Sequence, residues 1–225
     1  MELKADADLD RNPPRVGAGI PRPIEATLSL LGLIVLSPLI GLAMLAVKLS
    51  SPGPIFFRQE RMGRGDRPFT LFKLRSMRVD AGGPAVTGSV DPRITPTGRW
   101  LRKTKLDELP QLWNVVLGDM SLVGPRPEVP RYVNLKDPRW QRVLAVRPGI
   151  TDPLTLRLKD EESLMPAAEA ERERFYLDVL QPVKLRAYLE YIERRTPWSD
   201  VGQVFATVFA IVRPGKGADP AEVLK

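Results

Sequence analysis

The stretch ATLSLLGLIVLSPLIGLAMLAV, residues 26–47, carries no charged side chain, and no other apolar run in the chain is as long. As an α-helix, about 22 residues reach roughly 33 Å, close to the thickness of the hydrocarbon core of a bilayer. The run is too long and begins too late for a secretory signal peptide. It predicts a membrane-embedded helix, and we expect the rest of the chain to form one compact domain on this anchor.

Ser37 and Pro38 lie near the centre of this stretch. Pro38 has no backbone N–H and clashes with the preceding turn, so we expect the helix to bend there. The Ser37 hydroxyl can bond a carbonyl oxygen that the proline leaves free within lipid. Basic residues flank the stretch on both sides, namely Lys4, Arg11, Arg15 and Arg22 before it and Lys48, Arg58, Arg61, Arg64 and Arg67 after it.

Two topologies fit this arrangement of charges. Because basic flanks tend to stay in the cytoplasm, a re-entrant hairpin that bends at Ser37-Pro38 would keep both flanks on the same side. The alternative is an ordinary membrane span with a proline kink. The residues alone leave both topologies open.

A second apolar stretch, WSDVGQVFATVFAIV (198–212), is too short to cross a bilayer. Trp198 and the nearby Arg194, Arg195 and Arg213 are typical of an amphipathic helix that lies in the membrane interface. The alternative is a core helix of the soluble domain.

The composition narrows the chemistry that the chain can perform. The 225 residues carry a formal net charge of +7 and include neither cysteine nor histidine. Disulfides, thiolate zinc sites, cysteine nucleophiles and histidine bases are therefore excluded. A protein-bound metal should be an oxygen-liking ion such as Mg²⁺. The positive charge favours an anionic partner, such as phosphate groups, acidic lipid or nucleic acid.

Outside the apolar stretches the pattern predicts an α+β fold that is predominantly helical. Segments 51–63 and 67–77 predict two extended strands or a β-hairpin, with Lys73 and Arg75 on one side of the second strand as an indication of a phosphate site. A loop is expected over 80–98. Helices are expected over 99–105, over 106–118 with Pro110 in its first turn, from Pro138 with Asp137 as its cap, and over 166–195 with a break at Gln181-Pro182.

The adjacent acids Asp107 and Glu108 begin the predicted helix over 106–118. Acids at a helix start are usually explained by the positive end of the helix dipole. Here basic residues precede the pair, and the turn GDMSLVGPRPEVP (118–130) brings Arg126 between two prolines. Because the chain lacks the usual catalytic side chains, an alternative is that Asp107 attacks phosphorus while nearby cations stabilise the phosphoryl charge.

Four segments occur in one order: SPGPIFFRQERMG (51–63), FKLRSM (72–77), LDELPQLWNVVLGDMSLVGPRPE (106–128) and VRPGIT (146–151). Together they strongly resemble the bacterial sugar transferase family, the monotopic polyprenyl-phosphate phosphoglycosyl transferases. The resemblance covers roughly residues 20–212, and its most specific part runs from Leu106 to Glu128. The chain looks like the small catalytic form of this family.

The resemblance implies a two-step reaction. A UDP-sugar donates its sugar phosphate to the aspartate of the Asp-Glu pair, and UMP leaves. A polyprenyl phosphate such as undecaprenyl phosphate then takes the phosphosugar, which begins the assembly of a bacterial polysaccharide or glycoconjugate. Mg²⁺ is required.

The family's functional residues carry over to matching positions. Asp107 matches the nucleophile and Glu108 its partner, and both are expected near the metal. Ser37 and Pro38 match the break in the membrane helix. The basic residues expected around the phosphates are Arg126, Arg102, Lys73, Arg147 and Arg75.

The resemblance also implies an arrangement in the cell. Residues 1–21 would be an N-terminal segment, 22–50 the re-entrant hairpin, 51–215 the catalytic domain with its interfacial helix, and 216–225 a tail. The catalytic domain is expected on the cytoplasmic face of the bacterial inner membrane. The sugar, the glycan pathway and the oligomeric state are not specified by the resemblance.

Two points stand against a simple transfer of the family's function. Many members continue Gly-Trp-Ala-Gln-Val after Pro-Gly-Ile-Thr, whereas this chain continues with Asp152 and Pro153. The anchor and the charge would also suit a membrane-anchored basic module that binds anionic lipid or nucleic acid. That alternative leaves the acid pair within the basic region unexplained, and the sequence shows no nucleic-acid-binding signature. A scaffold subunit with degenerate catalytic residues is a third reading, and the intact Asp107, Glu108 and Arg126 argue against it.

Overall fold

The membrane-length stretch forms a 29-residue helix, α1, over Arg22–Ser50 in the computed structural model, which describes residues 16–79, 86–88, 91–152, 154, 161–166 and 168–213. The chain stays helical through Pro38. The Ser37 hydroxyl donates to the carbonyl of Ile34 at 2.8 Å. This is the carbonyl four residues before Pro38, which the missing N–H leaves free. The predicted role of the Ser37 hydroxyl is therefore confirmed.

Both ends of α1 contact the same domain. At the first end, the Arg22 guanidinium donates to the carbonyls of Val115 and Val116, and the Glu25 carboxylate accepts from the Leu122 N–H at 3.0 Å. At the other end, Val47 is buried in a cluster whose other buried members are Ala43, Leu74 and Leu101.

The middle of α1 is exposed. Ile34, Val35 and Leu42 are 61%, 74% and 67% exposed. By length and composition, α1 is long and apolar enough to cross a membrane, and within the described residues no second helix meets that test. The helix therefore offers an apolar surface that the domain does not cover.

The predicted hairpin is confirmed. Strands β1 (Phe56–Met62) and β2 (Pro68–Leu74) pair antiparallel, with a register that runs from Phe56 opposite Leu74 to Met62 opposite Pro68. A 3-10 turn over Arg64–Asp66 joins them, and Gly65 takes the positive φ of 66° that this turn needs.

A second sheet joins the two later family segments. Strands β3 (Ser121–Val123) and β4 (Gly149–Thr151) pair parallel. A Cβ on Gly149 would lie 2.0 Å from the backbone nitrogen of Gly124, so only glycine fits where the segments cross.

The remaining described elements are mostly short helices. They are α2 (Pro96–Thr104), a 3-10 turn (Leu106–Glu108), α3 (Gln111–Leu117), a 3-10 turn (Pro130–Tyr132), α4 (Pro138–Val143), α5 (Glu161–Leu164), α6 (Glu169–Phe175), a π-helical turn (Tyr176–Leu180), α7 (Gln181–Arg194) and α8 (Pro197–Val212). A core cluster is built on Val123 of β3, Trp140 of α4 and Ile192 of α7. The small sheets and many helices match the expected α+β class.

Several predicted boundaries are corrected. The helix predicted from Arg99 begins earlier, at Pro96, because the Thr95 hydroxyl caps it by accepting from the Gly98 N–H. The helix predicted over 106–118 is divided into a 3-10 turn and α3, because Pro110 has no N–H to donate within a continuous helix. Part of the loop predicted over 80–98 lies outside the described residues.

Two later predictions have different outcomes. Asp137 caps α4 as expected, since its carboxylate accepts from the Arg139 N–H at 2.8 Å. The break predicted at Gln181-Pro182 is wrong. The chain is helical from Glu169 to Arg194. The π-helical turn just before Pro182 widens the helix where Pro182 has no N–H to donate.

Helix α8 lies on the second sheet. The hydroxyls of Thr151 and Thr207 are 2.7 Å apart, and the Gln203 amide donates to the Asp152 carbonyl at 2.9 Å. The departure from the family pattern at Asp152 thus contacts α8, while Pro153 lies outside the described residues. Trp198 and Phe205 are 83% and 70% exposed, which fits an interfacial helix better than a core helix.

Candidate active site

A cleft of about 1410 Å³ opens between the β-hairpin, α2 and the segment that holds Arg126. Among the described residues, thirteen basic side chains line it, namely Arg58, Arg61, Lys73, Arg75, Arg78, Arg93, Arg99, Arg102, Lys103, Lys105, Arg126, Arg131 and Lys184. The acidic residues in this part of the chain that line it are Asp107, Glu128 and Glu161. This excess of positive charge suits a ligand that carries several phosphates.

Asp107 lies in the wall of the cleft on the 3-10 turn before α3. Lys105 precedes it in the left-handed conformation, with φ of 57°, and this reversal ends α2 and starts the turn. The Asp107 side chain is buried, and its Oδ1 has no hydrogen-bond partner among the described residues. Burial raises the pKa of Asp107, the Lys73 charge opposes this, and the Glu108 charge adds to it.

Glu108 has the opposite environment. Its Oε1 accepts from the Lys73 ammonium at 2.9 Å and from the Arg126 guanidinium at 2.5 Å. Burial alone would raise its pKa, but the charges of Arg126 and Lys73 hold the pKa of Glu108 well below its usual value. Lys73 and Arg126 line the cleft, whereas Glu108 is not among the lining residues. Glu108 therefore holds the Lys73 and Arg126 side chains in position beside the cleft.

Arg126 is held from several directions. Pro125 and Pro127 restrict the backbone on either side. The Glu108 carboxylate raises the pKa of Arg126, so the guanidinium stays charged. Arg61, on β1, donates to the Pro127 carbonyl at 3.0 Å and fixes the same segment. A guanidinium fixed in this way can bind a phosphate with little loss of side-chain entropy.

The other basic residues predicted around the phosphates have different positions and hydrogen-bond partners. Arg102 lines the cleft, and its Nε donates to the Ser76 hydroxyl at 3.0 Å. Arg75 also lines it, but its guanidinium donates to the carbonyls of Ser51 and Pro52, so it mainly joins the end of α1 to the hairpin. Strand β2 ends at Leu74, so the predicted alternation stops before Arg75.

Arg147 lies away from these residues. It is not among the residues that line the cleft, and its Nε donates to the Gly118 carbonyl at 2.9 Å. Gly118 ends α3, where unpaired carbonyls attract cations. The placement gives Arg147 a capping role and does not bring it to the predicted phosphate site.

Sequence reasoning missed a group of side chains that contact one another in the cleft. Glu128, Glu161, Tyr176 and Lys184 all line it. The Tyr176 hydroxyl donates to Glu128, and the Lys184 ammonium donates to both carboxylate oxygens of Glu161 at 2.9 and 3.0 Å. Glu128 directly follows the Pro-Arg-Pro segment and could have been found from it. The other three residues lie after Thr151, beyond the four sequence segments that carry the resemblance.

The residues fit a divalent cation only in part. Among the described residues, no group of three or more aspartates and glutamates is placed to hold a metal. The Oδ1 of Asp107 is buried and has no hydrogen-bond partner among the described residues, whereas Oε1 of Glu108 accepts from two cations. Mg²⁺ often binds through one or two carboxylates and the phosphates of a substrate, and this donor set suits that mode.

Comparisons with known proteins show which family the chain resembles. The model of the family described as bacterial sugar transferase matches residues 17–214. A UDP-glucose:undecaprenyl-phosphate glucose-1-phosphate transferase of Caulobacter vibrioides is 37% identical over 201 residues, which are 87% of this chain and 71% of that protein. The protein of the same description from Escherichia coli K12 is 38% identical over 82% of this chain and 38% of its own length.

A third relative names a different sugar. The putative undecaprenyl-phosphate N-acetylgalactosaminyl 1-phosphate transferase of Bacillus subtilis is 46% identical over 115 residues, which are 50% of this chain and 64% of that protein. The chain thus spans from about a third to about two thirds of the length of several relatives that it matches.

Proposed function

The chain belongs to the bacterial sugar transferase family, and on that premise we propose that it moves a sugar 1-phosphate from a UDP-sugar to a polyprenyl phosphate. Undecaprenyl phosphate is the acceptor named for the relatives. The products would be a polyprenyl-diphosphate sugar and UMP, which is a first membrane step of bacterial glycan assembly.

One observation carries this proposal. A buried aspartate, Asp107, faces a strongly basic cleft with one carboxylate oxygen unpartnered, beside two cations that Glu108 holds in place. Buried polar atoms without partners are rare in folded proteins, so this oxygen is suited to a ligand or a reacting atom.

The first half-reaction is a displacement at the phosphorus that bears the sugar. A carboxylate oxygen of Asp107 bonds to this phosphorus, and the bond to the oxygen of UMP breaks. Arg126, Lys73 and Arg102 stabilise the phosphate charges, including the one that the leaving UMP gains. No proton moves, because the nucleophile is already a carboxylate.

In the second half-reaction a phosphate oxygen of the lipid bonds to the same phosphorus, and the bond to Asp107 breaks. The Asp107 carboxylate is thereby restored. Mg²⁺ bound at Asp107, with Glu108 as a further predicted ligand, would neutralise negative charge on the phosphate oxygens.

For the membrane topology, we propose that α1 is re-entrant and bends at Ser37-Pro38. Both ends of α1 contact one domain while its middle is exposed, and a straight membrane span could not place both ends on a domain outside the bilayer. The exposed side of α8 would lie in the interface. The basic flanks favour the cytoplasmic face of the inner membrane.

The activity is tested by incubation of the protein with Mg²⁺, undecaprenyl phosphate and a panel of UDP-sugars, with UMP release as the measurement. We expect release with at least one donor, its loss in EDTA and its return with added Mg²⁺. Asp178→Asn, in an exposed ion pair with Arg174, is the matched control for Asp107→Asn and should stay active. If no donor of the panel releases UMP, the proposed activity is wrong.

The covalent step is tested by intact-protein mass spectrometry with donor alone. We expect an adduct with the mass of the phosphosugar in the unsubstituted protein and none in Asp107→Asn. If UMP is released only when both substrates are present and no adduct forms, the transfer is direct and the covalent step is wrong.

The topology is tested with single-cysteine variants, since the chain has no cysteine of its own. Ala18→Cys and Arg67→Cys place exposed thiols on the two flanks of α1. A membrane-impermeant thiol reagent should label neither thiol in intact spheroplasts and both after lysis. Labelling of one flank alone in spheroplasts would show a straight span.

A further inference from the structure

The two half-reactions constrain where the parts of the substrates lie. In a displacement at phosphorus, the attacking and leaving oxygens lie on opposite sides of the phosphorus. UMP leaves opposite Asp107, and in the second step Asp107 is itself the leaving group. The lipid phosphate must therefore arrive at the position that UMP has vacated, so one region of the cleft serves both.

That shared region is the side of the cleft nearest to α1. Arg99, Arg102 and Lys103, here called the cationic arm, line the cleft from α2. Helix α2 packs against the membrane helix through Leu101, which shares a buried cluster with Val47. A phosphate that enters from the membrane would meet this arm, and the phosphate of UMP would occupy the same place.

Another group of lining residues has a different character. Glu128, Glu161, Tyr176 and Lys184, here called the carboxylate pocket, line the cleft near Arg126. Tyr176 belongs to an apolar cluster with Val86, Tyr132 and Met165 that contains no residue of α1. The Lys184 ammonium pairs with Glu161, and the Arg61 guanidinium lies 3.7 Å from Glu128, so the charges of this group nearly balance. Unlike the cationic arm, this group therefore suits a part of the substrate without charge.

We infer that the carboxylate pocket holds the sugar ring of the donor and selects among sugars, an inference that rests on the proposed function. With the nucleotide and the lipid phosphate assigned to the cationic arm, the sugar is the part of the donor that remains. Carboxylates, an ammonium and a phenol can donate to or accept from the hydroxyls of a sugar. A site that bonds a substrate hydroxyl rejects an analogue in which that hydroxyl is absent or misplaced.

The pocket is also rigid enough to discriminate. The Glu128 side chain is 11% exposed and accepts from Tyr176 through one oxygen and from the Val129 N–H through the other. The Lys184 ammonium lies 5.3 Å from the centre of the Tyr176 ring. Polar groups that are fixed in this way can recognise the orientation of a hydroxyl.

The test measures binding without turnover, in the Asp107→Asn background. Dissociation constants are determined by calorimetry for UDP and for UDP-glucose, UDP-galactose, UDP-N-acetylglucosamine and UDP-N-acetylgalactosamine. Adding Glu161→Gln or Tyr176→Phe should weaken the binding of the best UDP-sugar by about tenfold, which corresponds to the loss of one good hydrogen bond. The dissociation constant of UDP should change by less than about twofold.

Matched controls separate recognition from folding. Glu60→Gln changes an exposed carboxylate on β1 that does not line the cleft. Tyr191→Phe removes a buried hydroxyl that donates to Asp200 outside the cleft. Neither control should change the ratio of UDP-sugar to UDP affinity, and circular dichroism confirms that each variant is folded.

Several outcomes would overturn the inference. An equal loss of affinity for UDP and UDP-sugar would place the nucleoside in the carboxylate pocket. Unchanged affinity for both would leave Glu161 and Tyr176 with a structural role. The proposed function fails separately, if the unsubstituted protein releases no UMP, whereas these two outcomes arise in an active enzyme.

Discussion

Two clusters of buried charge differ in how fully their carboxylates are satisfied. At the start of α8, Asp200 is 0% exposed, and its two carboxylate oxygens accept from the Tyr191 hydroxyl at 2.7 Å and from the Arg195 guanidinium at 3.0 Å. In the cleft, Asp107 is 5% exposed and one of its oxygens has no partner among the described residues.

This difference indicates that Asp200 serves the stability of the fold and Asp107 serves the reaction. A buried carboxylate with a donor on each oxygen stabilises the fold around it, because removal of the carboxylate leaves its partners unpaired. A buried carboxylate with an unpartnered oxygen costs stability, and a fold keeps it where a ligand or a reaction needs it. The predictions below test this contrast from the largest expected effect to the smallest.

The largest effect is expected for Asp107→Asn. Removal of the nucleophile should lower kcat by at least about 10³-fold, as for other nucleophilic residues. The pKa of Asp107 is raised, so the fold favours the neutral form and ionisation at neutral pH costs stability. The Asn variant should therefore have a Tm at pH 7 equal to or above that of the unsubstituted protein. A lower Tm would show that Asp107 stabilises the fold, as Asp200 does, and would contradict the proposed difference between the two residues.

Asp200→Ala is expected to show the reverse pattern. It leaves the Arg195 charge and the Tyr191 hydroxyl without their partner, which should lower the free energy of unfolding by about 3–5 kcal/mol. Since Asp200 does not line the cleft, the folded fraction should keep its kcat. Denaturant unfolding and initial rates measure the two quantities. A loss of kcat in the folded protein would connect this cluster to the chemistry.

Periodicity and turn residues predicted most of the local structure. Apolar length predicted α1, two short apolar segments predicted the hairpin, and the cap at Asp137 acted as expected. The π-helical turn before Pro182 could not be predicted, because the sequence shows only that a regular helix is disfavoured there.

The site was predicted where its residues lie in one family segment. Asp107, Glu108 and Arg126 all fall between residues 106 and 128, and the structure brings them together with Lys73. The placement of Arg147 at the end of α3 depends on how β4 packs, which no local pattern specifies. The carboxylate pocket is likewise a product of tertiary packing, since α6, α7 and the π-helical turn carry no motif that marks it.

Beside the cleft, Glu108→Gln tests the contrast between Asp107 and its neighbour Glu108. The amide keeps one acceptor but loses the charge that pairs with Lys73 and Arg126, so the free energy of unfolding at pH 7 should fall by about 2–3 kcal/mol. The pKa of Glu108 lies well below 4.5, so its stabilisation is present above that pH and is lost as the pH falls through the lowered pKa.

The pH dependence gives this prediction its check. The difference in stability between the unsubstituted protein and Glu108→Gln should be constant near neutral pH. It should begin to shrink as the pH falls below about 4.5, where Glu108 of the unfolded chain takes up a proton, and it should be lost once the pH has passed the lowered pKa of the folded protein. Denaturant unfolding across this range measures it. Equal stability at pH 7 would mean that Lys73 and Arg126 do not depend on Glu108.

The smallest effect is expected for the acid limb of the rate profile in Lys73→Gln. The Lys73 charge lowers the pKa of Asp107 against the larger effect of burial, so its removal should raise that pKa further. Since Asp107 reacts as a carboxylate, kcat/KM falls as the pH drops through this pKa, and the limb should move to higher pH by up to about one unit. Lys136→Gln, an exposed lysine outside the cleft, is the matched control and should leave the limb in place. A limb that moves to lower pH in Lys73→Gln would mean that Asp107 is not the group whose ionisation limits the rate.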